Sequence, residues 1–376
     1  MKKKILHITG IIGIGGVEKM VIQLCNNLNK DLFNVAIFSY SIDVNITKEL
    51  NNDVKLISLG YKTKDIAGWK FIIHLFPIIG KIIKMIRNEK PDIIHIHTTA
   101  SRYLIFSLIS LLFFRNIIFI KTVHTSGYFL NSKTISDKIR LFIERLAIRI
   151  RPTHIVGISK QVYDINQCIF TNIVKSYSLI YNGIDINAFN KSIEEKKKDS
   201  NIINVAYVAR VVPGKNHLFL IHLWKKIINN NTNIRLLFIG DGILLNTIKV
   251  EIKKYNLEKN ILCLGGCNNV AQILNNCDFA VFPSEFEGFG ISLIEKMASK
   301  LPVIASDIPP FREIISDQKD GFIIDTKNEN EWIKTINILS TNQSLRIKIG
   351  EAAYEKSKKY SLDKMVEKYE NLYLNV

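Results

Sequence analysis

Two glutamates in one short segment hold the densest potential chemistry in the chain. The stretch Phe282–Ile315 reads FPSEFEGFGISLIEKMASKLPVIASDIPPFREII: a strand ends at Pro283, a loop follows with Glu285, Glu287, Gly288 and Gly290, and a helix starts near Ile291. Glycines in such a loop let the backbone approach a ligand closely, and the free N–H groups of a helix start attract phosphate. Glu295 stands eight residues after Glu287, about two helical turns further along. One carboxylate at the loop and one inside the helix can accept hydroxyl hydrogen bonds at two separate points of an extended ligand. A sugar and a ribose joined by two phosphates fit that layout. Taken singly, either glutamate reads equally well as a surface carboxylate.

A second charged cluster lies in VAYVARVVPGKNH, where Arg210 directly follows a strand and Lys215 comes five residues later, beyond a Pro-Gly turn. A planar guanidinium and a mobile ammonium in that position complement a diphosphate. IGDG, Ile239–Gly242, ends another strand; its Gly240 serves either a ligand or the turn alone. In the N-terminal half, Gly15 and Gly16 open a helix and form an anion-ready turn. With Gly13 they miss the GxGxxG spacing of a dinucleotide site, which argues against a nicotinamide enzyme. His95 and His97 alternate on a strand end in DIIHIHTT, and His124 ends another strand in KTVHTSG, places from which an imidazole can orient a substrate or polarise a reacting centre. His7, His74, His154, His217 and His222 read as packing or surface residues.

The elements that position these residues alternate between short β-rich apolar runs and longer segments of helical period, the mark of α/β folds with parallel sheets. Strands are expected at Ile5–Thr9, Val35–Ser39, Val54–Ser58, Asp92–His95, Ile117–Val123, His154–Ile158 and Ser178–Ile180. After the polar stretch KSIEEKKKDSN at 191–201, which reads as a linker, they restart at Asn204–Val208, Arg235–Ile239, Ile261–Leu264, Phe279–Pro283, Pro302–Ala305 and Gly321–Ile324. The expected organisation is an N-terminal Rossmann-like domain over 1–190, the linker, a C-terminal Rossmann-like domain over 202–360 and a helix over 361–376 able to pack back on the N-terminal domain. Two such doubly wound sheets facing across a cleft would each offer the ends of their strands to ligands.

At 376 residues with 47% hydrophobic and 23% charged residues, the chain is an ordinary globular one with a formal net charge of +17. Residues 1–190 carry 25 Lys/Arg against 12 Asp/Glu, whereas residues 191–376 carry 26 against 22, so the basic surplus sits in the first half. Such a field suits an anionic partner, whether nucleic acid, an acidic membrane or a phosphorylated substrate, although solvated basic faces would look the same. No helix-turn-helix or RNP signature supports nucleic acid. Five cysteines without a CxxC pair argue for structural thiols rather than disulfides or a metal. No export signal is expected at the N-terminus. The apolar window Arg102–Lys121 is too short to span a bilayer and reads as a buried helix followed by a strand.

The segment Phe282–Ile315 resembles the signature of glycosyltransferase family 4, retaining enzymes of the two-domain GT-B fold, in which two glutamates separated by seven residues lie in an EGFG-type loop and helix. The likeness spans nearly the whole chain and is tightest over Asn204–Ile315; GIGGVEKMV, IGDG and YNGID (Tyr181–Asp185, at the interdomain seam) also match. It implies that Glu287 holds sugar hydroxyls, that Glu295 holds the nucleotide ribose, and that the backbone at Gly288, Phe289, Gly290, Ile291 and Ser292 meets the sugar and distal phosphate. Arg210 and Lys215 would hold the diphosphate and stabilise the leaving group, His124 would stand near the transferred sugar, and Gly15, Gly16 and Gly240 would line the donor. No Asp-x-Asp occurs, so the resemblance implies no metal or other cofactor. The partners implied are a nucleoside-diphosphate sugar (UDP- or GDP-sugar) and a glycan acceptor linked to polyprenyl diphosphate. Basic, apolar stretches at Trp69–Lys90 and Lys138–Arg151 suit an acidic inner-membrane surface, placing the enzyme in the cytoplasm, peripheral on the inner face of the membrane, in O-antigen, capsule or exopolysaccharide synthesis. The alternatives are a soluble sugar or sugar-phosphate acceptor and, of another class, a non-catalytic nucleic-acid-binding protein.

Overall fold

The computed structural model describes residues 2–12, 16–42, 49–62, 73–98, 100–125, 134–189, 202–229, 233–267 and 269–376. Gly15 and the linker 191–201 lie outside them, as do Trp69 and Lys70. The chain forms two compact units, Met1–Gly183 with Leu362–Val376, and Ile184–Ser361. The division falls within the Tyr181–Asp185 segment and ahead of residue 190.

The first unit carries strands β1 (Lys3–Ile8), β2 (Ile11–Ile12), β3 (Phe33–Ser39), β4 (Ser41–Ile42), β5 (Lys55–Ser58), β6 (Ile93–Ile96), β7 (Ile118–Val123), β8 (Thr153–Gly157) and β9 (Ser176–Leu179). Seven of them form one parallel sheet in the order β5-β3-β1-β6-β7-β8-β9, and β2 and β4 pair separately. Parallel strands need crossover helices on both faces, so they are buried on both sides and lose the polar alternation of a surface strand. Strands β6 (IIHI) and β8 (THIVG) show this, each buried along its whole length.

The C-terminal helix Leu362–Asn375 belongs to this unit. Its Leu362, Met365, Val366, Tyr369 and Tyr373 join the core formed by Ile5, Leu24, Phe33, Ile37 and Ile93. Lys3 Nζ donates to the carbonyls of Tyr373 at 2.8 Å and Leu374 at 3.1 Å, placing a cation at the negative end of that helix.

The second unit carries β10 (Ile203–Val208), β11 (Ile234–Ile239), β12 (Ile261–Gly265), β13 (Phe279–Phe282), β14 (Val303–Ser306) and β15 (Phe322–Ile324), all parallel, in the order β12-β11-β10-β13-β14-β15. Strand order reverses between β1 and β6 in the first sheet and between β10 and β13 in the second. Crevices open at the carboxyl ends of strands flanking such a switch point.

One expectation needs correcting. The apolar window does hold the helix Ala100–Phe113 followed by β7, but the helix is buried on one side only. Tyr103, Phe106 and Ile109 face the interior, whereas Leu108, Leu111, Leu112 and Phe113 are exposed. An all-round apolar helix reads as buried from sequence, and the pattern gives no sign that one side lacks a covering layer.

Candidate active site

The switch point of the second sheet brings together the residues singled out in sequence. The loop after β10 and the loop after β13 are laced by backbone: Glu285 N–H donates to Gly214 O at 2.9 Å, and Asn216 Nδ2 to Pro283 O at 2.8 Å. Gly214 sits at φ +81, and a Cβ there would lie 2.5 Å from the Phe286 ring, so only glycine lets the loops close up. Within this frame Lys215 Nζ donates to Glu287 Oε1, which also accepts from Ser284 Oγ at 3.0 Å. The Tyr207 hydroxyl donates to the Lys215 carbonyl and fixes its backbone. Arg210 is exposed, and no hydrogen bond or ion pair holds its guanidinium among the described residues.

The helix Ile291–Ala298 starts at Gly290, which caps it at φ +115. Ser292 Oγ donates to Val208 O at 2.8 Å and ties the helix start to the end of β10. Glu295 Oε2 accepts from Lys296 Nζ at 3.0 Å, and the same ammonium donates to Ser292 Oγ at 2.8 Å. Lys296 is fully buried, and that burial pulls its pKa below the ordinary lysine range against the opposing pull of Glu295. Phe289 turns inward, 2% exposed and edge-on to Tyr360, which takes its ring out of reach of a ligand. Gly240 is accounted for by packing: at φ +143 its Cβ would stand 2.0 Å from Ala209 O.

In the first unit, Gly16 begins the helix Gly16–Asn27. A cavity of about 610 Å³ opens at the carboxyl ends of β1, β6 and β7, lined by Gly10, His97, Thr98, Arg102, Lys121 and His124 and, from the flanking helices, Glu18, Asp137, Arg140 and Glu144. Its three cations are matched by three carboxylates. Lys121 and Glu144, both buried, bond at 2.5 Å. The charges of the wall are thus balanced, which suits a neutral ligand more than a bare anion. His124 stands beside His97, with His97 Nδ1 and His124 Nε2 3.2 Å apart. Burial, aided by the positive Lys121, lowers the His124 pKa to about 3, so its imidazole is neutral.

Ser284, Lys296 and the Lys121–Glu144 pair have no role in the sequence reading, which takes His7 for a packing or surface residue. Lys296 has no signature beyond adjacency to Glu295. His7 does have one: a histidine inside the apolar strand β1, in register with His95 of β6.

Two family models divide the chain between them: "Glycosyltransferase Family 4" matches residues 14–188 and "Glycosyl transferases group 1" residues 188–356. The uncharacterized glycosyltransferase MJ1178 of Methanocaldococcus jannaschii is 31% identical over 355 residues, covering 94% of this chain and 92% of its own. The chain belongs to the family 4 glycosyltransferases. An Escherichia coli relative named UDP-Gal:alpha-D-GlcNAc-diphosphoundecaprenol alpha-1,3-galactosyltransferase is 25% identical over 100% of this chain and 97% of its own. The crystal structure of Anabaena HepE in complex with UDP and glucose superposes with a TM-score of 0.81 at 17% identity, covering 100% of both chains. With its two parallel-sheet units, this family 4 transferase has the GT-B fold.

Proposed function

We propose that the protein transfers a hexosyl or N-acetylhexosaminyl residue from a UDP- or GDP-sugar, with retention of configuration, to a glycan carried on polyprenyl diphosphate during synthesis of a bacterial surface polysaccharide. The Lys215–Glu287 contact at the second switch point carries this reading. An ammonium beside a carboxylate suits a departing diphosphate and the hydroxyls of a sugar, and the Ile291–Ala298 helix start is close in sequence. The task is to support an oxocarbenium-like centre while the diphosphate leaves, and positioned charge supplies most of what that needs. Arg210 and Lys215 meet the diphosphate, Glu295 the ribose and Glu287 the sugar, with no nucleophilic role for Glu287 and no metal. The names of the E. coli relative and of the HepE complex support a uridine nucleotide and a diphosphoundecaprenol-linked acceptor. A panel of UDP-, GDP-, ADP- and CMP-sugars tests the donor: one UDP- or GDP-sugar should raise the melting temperature and support transfer in the presence of EDTA. Stabilisation by none of them, or transfer abolished by EDTA, would refute the corresponding part.

The acceptor's lipid calls for a membrane face, and the first unit supplies a candidate. Along the helix Ile135–Ile150, Ile135, Ile139, Phe142 and Leu146 are all exposed, and their i, i+4, i+7, i+11 spacing makes one apolar stripe on the outer side. Lys138, Arg145 and Arg149 flank it. The neighbouring helix Ala100–Phe113 also exposes Leu108, Leu111, Leu112 and Phe113. Apolar stripes edged by cations lie in the interfacial plane of anionic bilayers. No helix among the described residues is long and apolar enough to cross a membrane. Liposomes with acidic lipids should float the protein at low salt, and Ile139→Glu/Phe142→Glu should abolish flotation without changing the melting temperature. Flotation unchanged by that pair would place the contact elsewhere.

A further inference from the structure

The first switch point holds a line of histidines that runs from the core to the cavity. His7 Nδ1 lies 3.1 Å from His97 Nε2, and His97 Nδ1 lies 3.2 Å from His124 Nε2. The rings of His7 and His97 stack at 5.3 Å with planes 10° apart. At the two ends, His7 Nε2 and His124 Nδ1 are buried with no hydrogen-bond partner among the described residues. His95, though near, is not a link: its Nδ1 meets the Tyr373 hydroxyl at 2.6 Å and its Nε2 meets Thr122 Oγ1 at 2.8 Å. With both nitrogens engaged, His95 offers no free lone pair to a metal shared with His7 and His97.

A neutral imidazole has one N–H and one bare nitrogen, and each of the two contacts needs exactly one proton between its nitrogens. The three rings must therefore share a tautomer. If the protons sit on Nε2, the chain leaves an N–H of His7 orphaned in the core. If they sit on Nδ1, the core end is a bare acceptor, and the unpaired N–H is that of His124, at the end of the line that borders the cavity. Either order therefore leaves one buried N–H without a partner, and because buried N–H groups are rarely left unpaired, the favoured order is the one whose N–H a ligand can satisfy: His124 lines the cavity and His7 does not. We propose that His7, His97 and His124 form a hydrogen-bonded wire with all three protons on Nδ1, in which His7 and His97 are positioning residues that hold the His124 Nδ1–H as a fixed donor for an oxygen of the substrate in the cavity. Burial lowers the pKa of His7 to about 3 and keeps His97 well below the ordinary histidine range, which preserves the neutral state that the wire requires. The role in turnover rests on the reading above, in which His124 stands near the transferred sugar. The tautomer order does not.

Long-range 1H–15N correlation spectra of histidine-labelled protein at pH 7.5, with and without donor, test both. Wild type should show Nδ1–H imidazoles at positions 7, 97 and 124. An Nε2–H pattern, an imidazolium at any of the three, or stoichiometric zinc in the purified protein would overturn the proposal. His97→Asn keeps an amide where Nδ1 faced His124 and should retain the His124 Nδ1–H form and turnover within about threefold. His97→Leu should release His124 into mixed tautomers and lower kcat about tenfold, with the donor KM unchanged within a factor of two. A rate loss in His97→Leu with His124 still purely Nδ1–H would show a merely structural role. Should His97→Leu fail to fold, the wild-type spectrum still decides the wire. Absence of transfer with every donor would count against the sugar-transfer reading and leave the spectrum to judge the histidines.

Discussion

Lys215→Ala is expected to lower kcat by about two to three orders of magnitude, the usual cost of removing one positioned charge from a developing anion, while leaving the melting temperature nearly unchanged. The separation of effects follows from how Lys215 is held. Its backbone carbonyl accepts from Tyr207, and the Pro213–Asn216 loop is tied to the loop after β13 through Gly214 and Asn216, so the side chain can go without releasing either loop. What disappears is the ammonium beside Glu287. That ion pair is partly solvated, with side-chain exposures of 14% and 22%, so its own contribution to stability is small. Lys215→Arg should recover little, because a planar fork does not reproduce a compact point charge already engaged by one carboxylate oxygen. Glu287→Ala should show a comparable loss. Lys226→Ala, which removes an exposed ammonium paired with Glu329 on the same unit, is the control and should retain full turnover. Near-normal kcat in Lys215→Ala, measured with saturating donor and acceptor, would remove this residue from the mechanism.

The sequence legible in this way is the sequence that repeats a local rule. Strands of a parallel sheet are short apolar runs, and the observed β1, β6, β10 and β13 lie within a residue or two of their expected places. The Glu287 and Lys215 neighbourhoods were legible for the same reason, because glycine turns and strand ends mark where side chains can reach a crevice. Other features depend on what crosses between elements. Nothing in KTVHTSG announces that Lys121 finds Glu144 on a helix more than twenty residues away, and although the last helix is expected to pack back on the first domain, the sequence does not say that Tyr369 and Tyr373 are the side chains that enter its core. Gly240 shows the reverse limit: a glycine in a motif looks like a ligand contact, whereas the nearest demand on it is the carbonyl of Ala209. The helix Ala100–Phe113 differs from its sequence expectation because hydrophobicity reports what a side chain tolerates, and only the packing reports which side is covered.

The largest effect on stability should come from Lys121→Met. Lys121 and Glu144 bury one charge each, with side-chain exposures of 5% and 8%. The ammonium also lies 4.7 Å from the centre of the Tyr103 ring, whose hydroxyl bonds Thr153 of β8. Removing the lysine leaves Glu144 as an uncompensated carboxylate beneath the cavity wall, at a cost of about 3–5 kcal/mol. The pair as a whole is worth far less, since its attraction mainly offsets two desolvation penalties. Lys121→Met/Glu144→Leu should therefore regain most of the loss, though not the cation–π contact. The protein has two units, so a single unfolding midpoint would average over both. Hydrogen exchange along β7 in increasing urea reads the first unit alone: protection there should fall in Lys121→Met and return in the double variant, with strand β13 of the second unit unchanged. If the double variant is as destabilised as the single one, Lys121 stabilises β7 through Tyr103 and its own packed methylenes, and charge pairing with Glu144 is not what holds this wall of the cavity together.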